Sequence, residues 1–160
     1  SYIKKGNFKY KVSKQGKRAV NGAAAIQGTV KITGFVKASK KKSATSVNIP
    51  ATITVDGITY KVTEIGAKAF KGMAKLKTVT VGANVTKIGK NAFQSSKKLK
   101  TVKIKTKTLK SIGANAFKGI QAKASFKLNV KGTKKAKAAL IKKYKKLVKK
   151  GKAPSGITLK

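Results

Sequence analysis

One hexapeptide recurs in this chain at nearly constant spacing. Ile65-Gly66-Ala67-Lys68-Ala69-Phe70 returns as Ile88-Gly89-Lys90-Asn91-Ala92-Phe93, and again as Ile112-Gly113-Ala114-Asn115-Ala116-Phe117, at offsets of 23 and 24 residues. The surrounding apolar positions recur in the same phase. Val62, Val85 and Leu109 stand three residues before each Ile, and Leu76 and Leu99 stand six after the first two Phe. Alternating pairs follow: Val79/Val81, Val102/Ile104 and, in the third copy, Phe126/Leu128, where Lys123 replaces the leucine. Periods of roughly 20–50 residues are the mark of repeat architectures, whose units bury their apolar faces against one another.

Each copy reads as one coil of a solenoid. The V-x-V pairs have the period of two expected of a short strand with one buried face. Glycine after each Ile marks either a tight corner or a close approach of two backbones. The Ala-x-Ala-Phe and Asn-Ala-Phe segments read as short helical turns that drive Phe inward. About six apolar side chains per coil cannot offset the entropy of ordering some two dozen backbones, so stacking is required. Phe70, Phe93 and Phe117 should then form a continuous internal spine.

The flanks read differently. Val47/Ile49 and Ile49-Pro50-Ala51-Thr52-Ile53 fit the repeat, after which residues 54–62 break the period. Asp56-Gly57 between β-branched stretches is a hairpin signal. Upstream, Phe8/Tyr10/Val12 and Val30/Ile32 alternate around a turn at Ser13–Lys17, giving an N-terminal β cap joined to the array by a basic loop from Lys37 to Ser46. Downstream, Leu140, Ile141, Tyr144, Leu147 and Val148 make one apolar stripe on a helix from Lys134 to Lys150, closed by Gly151 and Pro154. Such a helix resembles membrane-surface segments, but its position favours covering the last coil. Ile157 and Leu159 suggest a final strand. The expected units are residues 1–46 (β cap and loop), 47–130 (array with an inserted hairpin at 54–62) and 131–160 (amphipathic helix and tail).

Composition narrows the chemistry. The chain of 160 residues has 41 Lys+Arg against two acids, Asp56 and Glu64, for a formal charge of +39, and only Arg18 is an arginine. His, Cys and Trp are absent, which removes imidazole, thiol, zinc and iron–sulfur chemistry. Two carboxylates leave scarcely any room for paired acid/base catalysis or calcium ligation, and no serine has a histidine to activate it. No enzyme activity, cofactor or metal is expected. Asp56 reads as turn chemistry and Glu64 as a local partner for lysines. No apolar run approaches the roughly 18 residues of a membrane span. No secretory leader is recognisable at Ser1 and no sorting motif at Lys160, which fits a mature product or a piece of a longer protein. Lack of cysteine excludes a disulfide scaffold and leaves the compartment open.

The I-G-x-x-A-F…L-x-x-V-x-V recurrence, the Ile49-Pro50-Ala51-Thr52-Ile53 entry and the hairpin from Asp56 to Gly66 together resemble the BspA-type leucine-rich repeat family. The resemblance is close from Val47 to Val130, and the lysine-rich helix is similar to C-terminal ends in that family. It implies an α+β solenoid: a short array of about three 23–24-residue coils with short parallel strands, an N-terminal β cap, the inserted hairpin and a C-terminal capping helix. It also implies a secreted or wall-associated bacterial protein, often an adhesin or host-contact module, with lysine-rich versions typical of Gram-positive gut anaerobes. The departures are Lys123 in the third copy and the very high lysine content.

In a solenoid the outward strand residues align into one surface. Here they are Ser46 and Asn48, Thr78 and Thr80, Thr101 and Lys103, Ser125 and Lys127. Hydroxyls beside lysines suit a glycan or an acidic protein, although no exposed aromatic anchor accompanies them. The partner expected is a host or bacterial surface protein or glycan, with an anionic wall polymer such as teichoic acid favoured by the charge. A non-specific nucleic-acid binder is the alternative from another class. It satisfies the electrostatic criterion but lacks arginines and a stacking face, since all six Phe fall at core positions. A structural spacer or fragment of a larger surface protein is the third reading. A monomer is expected.

Overall fold

The computed structural model describes residues 1–160. In chain order its elements are β1 (Tyr2–Lys5), β2 (Phe8–Lys14), β3 (Gly28–Phe35), α1 (Ala38–Ser43), β4 (Ser46–Asn48), β5 (Thr52–Val55), β6 (Ile58–Ile65), β7 (Thr78–Val81), β8 (Lys87–Ile88), β9 (Thr101–Ile104), β10 (Ser111–Ile112), β11 (Ser125–Leu128), α2 (Lys134–Lys150) and β12 (Thr158–Leu159). They form two sheets. One is parallel, in the order β12-β11-β9-β7-β4; the other runs β1-β2-β3-β6-β8-β10, with β5 also on β6.

The V-x-V segments are the parallel strands β7 and β9, and their Val79, Val81, Val102 and Ile104 are buried as the alternation predicts. The Ile of each hexapeptide ends a strand of the other sheet: the long β6 in the first copy and the two-residue β8 and β10 in the next two. Ile65, Ile88 and Ile112 align there in parallel register. Strands β8 and β10 escape period-two reading because two residues cannot display a period.

The expected helical turns after the Ile-Gly pairs are not helical. Lys68, Asn91 and Asn115 each adopt φ near 60°, and alternate amides bond in different directions. Ala69 N–H bonds inside its own turn to Gly66, whereas Lys68, Phe70 and Gly72 donate to Lys90, Ala92 and Gln94 of the next coil. Phe93 donates onward to Ala116, and Phe117 to Gly151. A helical turn would have used those donors internally and left the coils unlinked along this side, with only the two sheets to join them.

This ladder explains the conserved spacing of the glycines in the repeat. Gly89 and Gly113 do not need positive φ; they need no Cβ. A Cβ on Gly89 would lie 2.6 Å from the Ala67 nitrogen, and one on Gly113 2.5 Å from that of Lys90. The close-approach reading of these glycines is therefore the correct one.

Packing follows from the ladder. Phe70 and Phe93 stack at 5.6 Å between ring centroids, and Phe93 and Phe117 at 5.4 Å with only 6° between planes. Phe126 closes one end edge-on, and Phe35 and Phe8 close the other. The spine thus takes in every Phe. It belongs to one core cluster that runs from Tyr10 to Leu159. In the third coil Lys123 is exposed, and the neighbouring Ala124 is buried instead.

Three flanking expectations need correction. The hairpin pairs Thr52–Val55 with Ile58–Lys61, so it starts two residues before 54–62, with Asp56 and Gly57 both at positive φ as a type I′ turn requires. Its second strand is no mere insertion, since Glu64 and Ile65 pair with β8. The turn expected at Ser13–Lys17 is a continuing ribbon: Lys17 bridges Ile26, Val20 bridges Ala23, and the chain reverses at Asn21-Gly22, both at positive φ. Finally, the basic loop contains α1.

At the far end α2 has Thr133 as its N-cap, accepting from Ala136 N–H at 3.1 Å, and buries Tyr144 and Val148. Tyr144 hydroxyl donates to Thr106 C=O at 2.8 Å and accepts Leu109 N–H at 3.2 Å. Thr106, itself fully buried, donates to Val85 C=O at 2.7 Å. One hydroxyl pair therefore ties the helix to the third coil and the third coil to the second.

Three substitutions test this reading of the fold by urea unfolding. Gly89→Ala should destabilise by roughly 2–4 kcal/mol, because backbone on the adjacent coil must move. Lys68→Asn should stabilise by up to about 1 kcal/mol, since Asn tolerates the left-handed conformation that Lys resists. Tyr144→Phe should cost about 1–3 kcal/mol by leaving two buried backbone groups unpartnered.

Candidate binding face

The parallel sheet presents its outward residues in two in-register rows. Ser46 aligns with Thr78, Thr78 with Thr101, and Thr101 with Ser125. Asn48 aligns with Thr80, Thr80 with Lys103, and Lys103 with Lys127. All eight residues picked from the sequence thus share one face, at the roughly 4.8 Å spacing of hydrogen-bonded strands. The threonines and Ser125 are half-buried, whereas Ser46, Asn48, Lys103 and Lys127 are exposed.

Both rows extend one strand beyond these eight residues. β12 pairs with β11 so that Thr158 aligns with Ser125 and Leu159 with Phe126, which brings Lys160 beside Lys127. The signal was available: alternation around Ile157 and Leu159 turns Thr158 and Lys160 outward.

The electrostatics of this face are one-sided. Lys103, Lys127 and Lys160 lie on consecutive strands, and like charges directly opposite each other are destabilising. Both acids belong elsewhere. Asp56 sits in the β5–β6 turn, and Glu64, in β6 of the other sheet, lies 3.7 Å from Lys87 Nζ. No large exposed apolar side chain accompanies the rows; Tyr2, Val20 and Ile26 are at the N-terminal end.

A second cationic cluster occupies that end. Lys9, Lys41 and Lys68 surround a cavity of about 290 Å³ with Thr33. Burial, and then the charges of Lys71 and Lys9, hold the Lys41 ammonium below the ordinary lysine value of 10.5. A folded-state pKa below the unfolded one means that folding penalises the protonated form. The penalty is complete at pH below the folded pKa and disappears as the pH climbs to the unfolded value. Lys41→Gln should therefore raise the urea midpoint at pH 7, and its advantage over the parent should shrink at pH 10.

His, Cys, Asp and Glu form no cluster able to hold a metal, and no helix is long and apolar enough to cross a membrane.

The sequence pattern described as BspA type leucine rich repeat region matches residues 36–149, in 6 copies. No curated protein matches the sequence. Among solved structures, a leucine-rich repeat protein from Bacteroides capillosus is 21% identical with a TM-score of 0.62, over 100% of this chain and 99% of that one. A leucine rich cell surface protein from Faecalibacterium prausnitzii is 23% identical with a TM-score of 0.56, over 79% of this chain and 32% of that one. A leucine-rich repeat protein from Bacteroides ovatus is 21% identical with a TM-score of 0.55, over 98% of this chain and 36% of that one. The likeness at these identities is one of fold, and the chain spans about a third of the last two proteins.

Proposed function

This chain belongs to the BspA-type leucine-rich repeat family, and we propose that it is a non-catalytic bacterial surface or secreted module that holds anionic polymer against the outward face of its parallel sheet. The observation that carries the reading is the in-register row Lys103–Lys127, continued by Lys160, beside the hydroxyl row Thr101–Ser125–Thr158. A linear polyanion lying across β9, β11 and the end of β12 meets an ammonium at each of them, Lys103, Lys127 and Lys160, with a hydroxyl next to it. Lysine suits this partner, since it offers a mobile point charge to a repeating phosphate and makes no demand for planar geometry. A wall polymer of the teichoic acid kind has that chemistry, as does an acidic surface protein or glycan. The described likeness to a cell surface protein agrees with the setting.

In this reading residues 47–130 are the working array and residues 1–46 and 131–160 cover its ends. Repeat arrays need such covers because a terminal coil would otherwise present its core. Gly151 supports the role of α2, since its carbonyl takes the Phe117 N–H in the place a further coil's alanine would hold.

Retention on immobilised poly(glycerol phosphate), measured over a salt series, tests the proposal. The parent should show a steep linear fall of log affinity with log salt. Lys103→Gln/Lys127→Gln should flatten that slope by about 1–1.5, the value for two lost phosphate contacts on a single-stranded polyanion. Lys142→Gln/Lys143→Gln, an equal change of charge on α2, should alter it less. Equal effects of the two double variants would reduce the binding to net charge and refute the face.

A further inference from the structure

We propose that the cleft between the C-terminal end of α2 and β12 is a binding site for a small anionic amphiphile, a molecule with one carboxylate or phosphate head on a hydrocarbon body. The cleft encloses about 690 Å³, within the range of sites that hold small organic ligands. It meets the polymer face at Thr158 and Lys160, but its other lysines, Lys145, Lys149 and Lys152, belong to α2 and the turn after it.

The floor and the rim differ in chemistry. Half-buried Ala153 and Ile157 supply apolar surface, with Pro154 beside them and the buried Val148 and Leu159 behind. Around them stand Lys145, Lys149, Lys152 and Lys160, and no Asp or Glu side chain lines the cleft. Lys145 and Lys149 are one helical turn apart on α2, where like charges repel. An anionic head placed between them removes that repulsion, whereas a neutral or cationic ligand does not. The apolar floor in turn gives a hydrocarbon body a place that a bare phosphate or acetate cannot use.

The walls are held by main-chain bonds and so stand ready before a ligand arrives. Ala153 N–H donates to Val148 C=O, Ile157 N–H to Pro154 C=O, and Thr158 N–H to Ala124 C=O. Thr158 and Lys160 spend their amides on β11, so by strand alternation the amide of Leu159 points to the open edge of the sheet. That edge supplies a hydrogen-bond donor beside the lysines, a second polar group suited to an oxyanion.

Calorimetric titration with monomeric decanoate, at one fixed moderate ionic strength for parent and variants, reads the site. One decanoate should bind per chain, with acetate and decanol each weaker by about tenfold or more, since each keeps only one of the two contributions. Lys145→Gln/Lys149→Gln should weaken decanoate several-fold and leave decanol unchanged. Ala153→Trp, which fills the cleft, should abolish decanoate binding, and methyl resonances of Val148, Ile157 and Leu159 should shift only in proteins that retain it. Vesicles of phosphatidylglycerol should still adsorb the filled variant, because a bilayer meets the outer lysines without entering the cleft. The proposal is overturned if acetate binds as tightly as decanoate, if decanol does so and the lysine variant is silent, or if the three methyl groups stay unmoved at saturation.

Discussion

The amides of Phe70, Phe93 and Phe117 have their hydrogen-bond acceptors on the neighbouring turn of chain, at Ala92, Ala116 and Gly151. No coil of this protein can satisfy its own backbone. Buried amides left without acceptors are costly, so the coils must stack, and they must stack at one separation. The rest of the molecule inherits that separation. It sets the 5.4–5.6 Å ring-to-ring distances of the phenylalanine stack, it excludes a side chain from Gly89 and Gly113, and it lines up the outward residues of four consecutive strands.

The same constraint decides where the charge goes. A core that admits only apolar and small side chains between close coils has no place for an ammonium, and none of the lysines is buried. The +39 charge is thus a coat on a regular frame, organised by the coil repeat. Self-repulsion of such a coat opposes the compact state. Repulsion acts where the repeat sets lysines side by side, as at Lys103 and Lys127, and in the N-terminal cluster, where burial first and the charges of Lys71 and Lys9 second disfavour the Lys41 ammonium. A partner that brings regularly spaced negative charge relieves the strain of the coat and gains affinity from it. Function in this reading grows from the mismatch between a neutral, tightly ordered interior and an exterior that has almost no acids of its own.

Much of this architecture was legible in the residues. The hexapeptide phase located the stacked Phe, Asp56-Gly57 located the hairpin, and the Leu140–Val148 stripe located α2 with its Gly151 end. All eight outward positions fell on one face because strand alternation is a property of the chain itself. What stayed hidden depends on partners distant in sequence. Strands β8 and β10 are too short to show a period, and only the pairing of β8 with β6 and of β10 with β8 makes them strands. The left-handed turns at Lys68, Asn91 and Asn115 look helical because Ala and Lys favour helix, and the inter-coil acceptors override that preference. Asn21-Gly22 was an ordinary turn signal set among alanines that gave no strand pattern on either side. The C-terminal cleft could not be read at all, since it arises from the return of residues 152–160 against α2.

The central claim is that stacking turns the outward strand residues into one contact surface for a polyanion. Amide-resolved NMR during titration with a linear polyphosphate, compared with monomeric phosphate at equal ionic strength, tests it most directly. The account predicts that the polymer shifts Thr78, Thr80, Thr101, Lys103, Ser125 and Lys127 together at sub-stoichiometric additions, while monomeric phosphate leaves that face nearly unmoved. Shifts spread evenly over every lysine-bearing surface, or concentrated on α2 with the sheet silent, would contradict it.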